Sequence, residues 1–212
     1  IVRADAAGFV VLKRVEDAMR DGDNVLAVIK GSATNSDGHS NGLTAPNPEA
    51  QVDVLRRAYA DAGVDPHEVD LVEAHGTGTI LGDPIEVAAL GEVLGRGRET
   101  AAPLLLGSAK SNIGHSESAA GVVALIKVLE ALKHDTIPES INFAGPNHYV
   151  DFDAERIEVV QDPREWPRYS GRRVAGVSGF GFGGTNAHVV VADYDPADYD
   201  LEATETEAAF EG

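Results

Sequence analysis

The chain has 212 residues, 43% hydrophobic and 25% charged, an ordinary balance for a folded protein and enough for one sizeable domain or two small ones. Its net charge of −18, with no basic stripe, argues against a nucleic-acid or anionic-membrane surface as partner. The absence of cysteine removes disulfides, Cys-ligated metals and any thiol nucleophile from this chain. No run approaches the roughly 18 apolar residues of a membrane span, and the lack of cysteine fits a reducing compartment, expected to be the cytoplasm.

The N-terminus, Ile1-Val2-Arg3-Ala4-Asp5, has no initiator Met and no signal-peptide pattern, so the chain looks cut from a longer one. It runs into Gly8-Phe9-Val10-Val11-Leu12-Lys13, which reads as a strand. Val15 to Arg20 follows as a short helix closed by Asp21-Gly22-Asp23. Val25 to Gly31 reads as a second strand leading into a polar loop from Ser32 to Asn47. Pro48 opens a helix that Asn47 can cap and Gly63 ends, with Val52, Leu55, Tyr59 and Ala62 on its buried face.

Val69 to Ala74 is the strand that delivers His75. After a loop of three glycines and two threonines, Asp83-Pro84 opens the next helix, predicted over 84–94 with Asp83 as N-cap and Glu86 in a capping-box position. Its apolar side is predicted at Ile85, Ala88, Ala89 and Val93. Leu104-Leu105-Leu106 starts a strand that delivers Lys110 and His115. Ser118 to Leu132 is apolar on nearly every face, the mark of a helix buried in the middle of a domain.

A long connection from Thr136 to Tyr149 and a short strand at Ile157 to Val160 follow. Two last strands, Arg173 to Val177 and Ala187 to Val191, flank a glycine-rich turn. Alternating strands and helices predict an α/β protein with a mainly parallel sheet. From Asp193 to Gly212 there are eight acids and no Lys or Arg, which reads as an acidic linker or disordered tail.

The turn at Gly179, Gly181 and Gly184 satisfies G-x-G-x-x-G, but a strand and not a helix follows it, so it is no pyrophosphate cradle. The seven histidines lack metal-site spacing, and no intact G-x-S-x-G elbow is present. His75 and His115 taken singly are as readily structural as catalytic. Taken together, with Lys110 beside His115 and glycines giving backbone access, they form a device for binding a carboxylate or stabilising an enolate oxyanion. Thr77 and Thr79 could bond an amide-bearing substrate arm or simply stabilise their loop. Glu86 would neutralise Lys110 if the two loops are neighbours; its bland alternative is the helix cap alone.

Three motifs then become specific: 73–86 beginning Glu73-Ala74-His75-Gly76-Thr77-Gly78-Thr79, Lys110-Ser111-Asn112-Ile113-Gly114-His115 with Ala119-Ala120-Gly121, and 179–188 ending Gly184-Thr185-Asn186-Ala187-His188. In this order they resemble the β-ketoacyl synthase domain of type I polyketide synthases, from about Gly8 to Val191. Ile141-Asn142-Phe143-Ala144-Gly145-Pro146 and Trp166-Pro167-Arg168-Tyr169 further resemble the mycolic-acid-condensing polyketide synthases of mycobacteria and corynebacteria. Gly179 stands where that family commonly has Ser, and Ser116 where Leu is common.

The resemblance implies a thiolase-like fold, layered α-β-α-β-α and usually dimeric, of which this chain supplies mainly the C-terminal half. Residues 1–192 are then the C-terminal part of a ketosynthase domain, and 193–212 an acidic linker or disordered tail leading toward a following acyltransferase domain. The implied reaction is decarboxylative Claisen condensation of an acyl thioester with a malonyl-type extender on acyl carrier protein. It needs a Cys nucleophile from outside this chain. The resemblance makes His75 and His115 stabilisers of the enolate, Lys110 paired with Glu86 the group that orients His115, and Phe182 an oxyanion-hole N–H with a gating ring. It places Thr77 and Thr79 along the phosphopantetheine arm, which the carrier protein and not this domain holds, while Phe180 and Phe182, read from the glycine-rich turn itself, could line or gate a pocket. The rivals are a non-catalytic ketosynthase-like chain-length or scaffold partner, and a decarboxylase that does not condense.

Overall fold

A computed structural model describes residues 1–38, 46–145 and 147–199. Helix α1 (Val15–Asp21) ends at Gly22 in the left-handed region. Strand β1 (Val28–Ser36) is followed by α2 (Pro48–Ala62). The Asn47 side chain accepts the N–H groups of Glu49 and Ala50, and Gly63 closes the helix at φ +62°, as predicted. Next come β2 (Leu71–Glu73), α3 (Gly82–Leu90) and β3 (Leu104–Gly107). The short α4 (Lys110–Ile113) and the long α5 (Ala120–His134) lead to β4 (Thr136–Ile137), β5 (Ile157–Val159) and β6 (Arg164–Glu165). The hairpin of β7 (Val174–Phe180) and β8 (Thr185–Ala192) completes the sheet.

The main sheet runs β1-β8-β7-β2-β3-β5, with β4 and β6 paired separately. The ladders β7–β2, β2–β3 and β3–β5 are parallel, whereas β1–β8 and β8–β7 are antiparallel, so the sheet is mixed. Side chains alternate across it as the two-residue period of a strand requires. Val72, Leu104, Leu106, Val174 and Val190 meet Val54, Leu55, Ala58 and Tyr59 of α2 and Val87, Ala89 and Leu90 of α3. Leu71, Leu105, Ala175, Val177 and Val191 turn to the other face, against Ala124, Val128, Ala131 and Leu132 of α5. The result is three layers, helix–sheet–helix.

Two polar anchors fix the sheet to its surroundings. Asp70, fully buried, accepts the Trp166 indole N–H at 2.7 Å, the Tyr169 N–H at 2.8 Å and the Val174 N–H at 2.9 Å. Under the hairpin, Ser178 Oγ and Tyr59 OH each lie 2.9 Å from one ring nitrogen of buried His188. Gly176 makes room for this row of hydrogen bonds: a Cβ there would stand 2.5 Å from Tyr59 OH.

Several expectations need correction. The stretch 8–13 makes no ladder; it crosses α5 at Val122 and Ile126, and Phe9 and Val11 are 93% and 96% exposed. Its apolar composition suits a strand, but a strand needs a partner edge, and none faces it among the described residues. β1 extends through Ser36, because its polar residues pair in register with β8 (Thr34 with Ala187, Asn35 with Asn186) and do not form a loop. α3 starts at Gly82 and widens after Leu90 into a π-turn, Gly91–Gly95. It buries Glu86, Val87, Ala89 and Leu90, while Ala88 is exposed. α5 buries one face only; Val122, Val123, Ile126 and Leu129 stay half-buried.

The acidic segment is held to the body as far as Tyr199. Asp193 accepts Arg172 Nε at 2.9 Å and Arg173 Nε at 3.1 Å, Asp198 pairs with Arg172 at 2.6 Å, and the Tyr194 and Tyr199 rings stack at 5.9 Å. The rest of the expected linker, 200–212, lies outside the described residues.

Candidate active site

Register places the site. Glu73 on β2 pairs with Gly107 of β3 and with Val177 of β7, all parallel. Just past those positions the three strands release His75, the Lys110–His115 segment and Phe180 at one edge, the C-terminal edge where open α/β sheets carry their ligands. The His75 and His115 rings meet edge to face at 5.6 Å, and the Phe180 ring lies 5.6 Å from His75, tilted at 56°. The two histidines that the sequence offered from separate loops thus form one pair.

Both imidazoles are held neutral, and at His115 the tautomer is set as well. His115 Nδ1 accepts the Glu117 N–H at 2.9 Å, which leaves the ring proton on Nε2. Gly114, at φ +82°, turns the backbone so that His115 bridges to Arg3. Burial, then the charges of Lys110 and His115, pull the His75 pKa down to about 3, so it is neutral at physiological pH. Burial and Lys110 lower that of His115 as well. Two neutral rings therefore act here as hydrogen-bond donors or acceptors and not as fixed cations.

The acids beside them do other work than predicted. Glu86 accepts the backbone N–H of His75 at 2.7 Å and of Gly76 at 2.9 Å. Burial raises its pKa to about 7 against those two bonds. Asp83 is not the N-cap of α3; it lies inside the first turn and accepts the N–H groups of Gly78 at 3.1 Å and Thr79 at 3.3 Å. Both carboxylates hold the His75 loop, because its glycine-rich backbone leaves N–H groups that no strand can satisfy.

The expected Lys110–Glu86 pair does not form: among the described residues Lys110 has no carboxylate within ion-pair distance, since both Glu86 oxygens face backbone. Burial lowers the Lys110 pKa, with Glu86, Glu73 and Asp83 opposing the shift as nearby charges. The His115 ring is oriented by the Glu117 N–H and not by Lys110.

Thr77 and Thr79 place their hydroxyls 3.3 Å apart, and Thr79 Oγ1 accepts the Gly82 N–H at 3.1 Å. Both line a cavity of about 340 Å³ together with His75, His115, Phe180 and Phe182. A larger cavity of about 790 Å³ lies beyond the loop and shares Thr77, Glu86 and His115 with it. Phe182 stands at the tip of the β7–β8 turn, 77% exposed, and its N–H makes no hydrogen bond among the described residues.

Sequence reasoning missed Glu73 and Lys127. Their signal was present: an acid in an apolar strand and a lysine in an apolar helix, each burying a charge that needs a partner. Lys127 Nζ meets Glu73 Oε2 at 2.6 Å.

Comparison with known proteins agrees with this architecture. The family model "Beta-ketoacyl synthase, C-terminal domain" matches residues 26–144, and "Ketoacyl-synthetase C-terminal extension" matches 146–209. A phenolphthiocerol/phthiocerol polyketide synthase of Mycobacterium tuberculosis (strain ATCC 25618 / H37Rv) is 60% identical over 190 residues, 90% of this chain and 10% of the relative. Pikromycin polyketide synthase component PikAII of Streptomyces venezuelae is 49% identical over 204 residues, 95% and 5% of the two chains. The ketosynthase from module 6 of the bacillaene synthase of Bacillus subtilis 168 superposes with a TM-score of 0.81 at 41% identity, covering 86% of this chain and 33% of that one.

The fold is that of the C-terminal part of a thiolase-like ketosynthase. The chain belongs to the β-ketoacyl synthase family of the type I polyketide synthases and forms its C-terminal domain. It spans about a tenth or less of the curated relatives and about a third of the solved ketosynthases.

Proposed function

We propose that this chain supplies the enolate-handling half of a decarboxylative Claisen condensing site. The observation that carries this reading is the pair of neutral imidazoles, edge to face at 5.6 Å, at the C-terminal edge of parallel strands. A thiol from outside this chain holds the acyl group as a thioester. A malonyl-type extender, carried on a phosphopantetheine arm, loses CO2 as its carboxylate C–C bond breaks, and the electron pair moves into the thioester enolate. N–H donors of His75 and His115 meet the enolate oxygen; at His115 the donor is Nε2–H. The enolate carbon then attacks the acyl carbonyl carbon, and the tetrahedral oxyanion collapses to expel the thiolate.

The other assignments follow this reading. The Phe182 N–H, without a hydrogen bond among the described residues, suits an oxyanion hole, and its exposed ring suits a gate. Thr77 and Thr79 flank the entry cavity where the arm would lie, Phe180 packs the wall behind His75, and Lys110 supplies positive potential beside the pair. Glu86 acts through the His75 backbone. The partners are acyl carrier protein, the Cys-bearing part of the ketosynthase, a second copy in a dimer, and a downstream acyltransferase domain. The exposed Phe9, Val11 and Leu12 and the half-buried face of α5 offer apolar surface for the Cys-bearing part. The setting is the cytoplasm, and the product is a polyketide or long-chain lipid such as a mycolic acid.

The test is to supply the full-length protein with an acyl donor and malonyl-loaded carrier protein and to measure CO2 and carrier-bound product. Equal amounts of CO2 and β-ketoacyl product are expected. CO2 without ketoacyl product would make the site a decarboxylase, and release of neither would make it a scaffold.

A further inference from the structure

Glu73 lies two residues before His75 and is 1% exposed. One carboxylate oxygen accepts the backbone N–H of Ala109, the residue before Lys110. The other accepts Lys127 Nζ at 2.6 Å, from a lysine side chain that is itself only 16% exposed. A single carboxylate thus joins β2, the turn that opens α4, and α5. Gly107 leaves space for the pair: a Cβ there would stand 3.1 Å from Lys127 Nζ and 3.5 Å from Glu73 Oε2. The neighbouring acids cannot substitute, because Glu86 and Asp83 are engaged by the His75 loop.

We propose that the Glu73–Lys127 ion pair is a positioning device for the condensing site, fixing the Lys110 turn against the His75 strand and acting on the reaction through Lys110. This rests on the ketosynthase reading above. Neither residue borders the cavity that holds the two imidazoles. Their effect is mechanical, through the Ala109 N–H, and electrostatic, through the field at Lys110.

The groups that set this field are the carboxylates of Glu86 and Asp83 from α3 and of Glu73 from β2, together with the rings of His75 and His115. Burial lowers the Lys110 pKa and the carboxylates hold it up, Glu86 first and Glu73 second. Neutralising Glu73 withdraws one of these supports and leaves the Lys127 ammonium unopposed. The Lys110 ammonium is then lost at lower pH.

The experiment uses the full-length protein that carries this chain, with Glu73→Gln, Lys127→Met, the double variant and His75→Ala. Each of the two single variants should lower kcat for condensation roughly 10–100-fold, the scale of a misplaced catalytic group, with KM for the carrier-bound extender within about twofold. Glu73→Gln should also shift the basic limb of the pH–rate profile to lower pH. The double variant should be no slower than the slower single, well short of the product of the two losses, because removing both charges is less harmful than orphaning one. Wild-type kcat and pH profile in both singles would overturn the proposal. So would additive losses in the double variant, or a fall in kcat that merely follows the folded fraction. If His75→Ala condenses at the wild-type rate, the ketosynthase reading itself fails; if His75→Ala is inactive while both singles are unchanged, only the positioning role fails.

Discussion

A neutral imidazole serves an enolate only if its N–H points at the oxygen, and at His115 the Glu117 N–H on Nδ1 leaves Nε2 as the donor. His188 shows the same control in a structural role, with both nitrogens engaged and its pKa lowered by burial to about 3. A histidine whose folded pKa lies below its unfolded value of 6.5 contributes stability that is full above pH 6.5 and is lost as pH falls toward 3. His188→Gln, which can still bond Ser178 and Tyr59, should therefore be increasingly less disadvantaged relative to wild type across that window. Hydrogen exchange of the β7 and β8 amides at several pH values checks this; an unchanged difference between the two proteins would contradict it. The two candidate histidines were legible because each follows an apolar run in a glycine-bearing loop, His75 directly after residues 69–74 and His115 a short segment beyond residues 104–106. The acids were not: a capping signature such as Asp83 and Glu86 cannot reveal that unsatisfied loop N–H groups will claim both side chains.

At the scale of elements, local signals were readable where the chain satisfies itself. Asn47, Pro48 and Gly63 bound α2 as predicted. Asn47→Ala should cost about 1 kcal/mol through the loss of two N–H acceptances, measured by denaturant unfolding. Signals failed where a distant partner decides the outcome. The polar end of β1 is a strand because β8 pairs with it, and 8–13 is not a strand because no described edge faces it. Gly176 belongs to this class, since only the fold brings Tyr59 and His188 over it. Gly176→Ala should destabilise the hairpin by roughly 1–3 kcal/mol, the usual cost of overpacking, read as lost amide protection in β7 and β8.

For the whole molecule, three adjacent parallel strands gather Phe180, His75 and the Lys110–His115 segment at one edge. The sequence supplied the members of that group; the strand order β7-β2-β3 supplied their meeting. The chain contains no cysteine; under the proposed function its share is the enolate half of the chemistry, and acyl capture falls to a thiol elsewhere. The most direct test is single-turnover condensation by full-length protein already loaded with its acyl group, comparing wild type with His75→Ala and His115→Ala. Each substitution should slow formation of the β-ketoacyl product by about 10²–10⁴-fold, the usual worth of a positioned proton donor, while the acyl group remains bound. Condensation at the wild-type rate in either variant would contradict the enolate role.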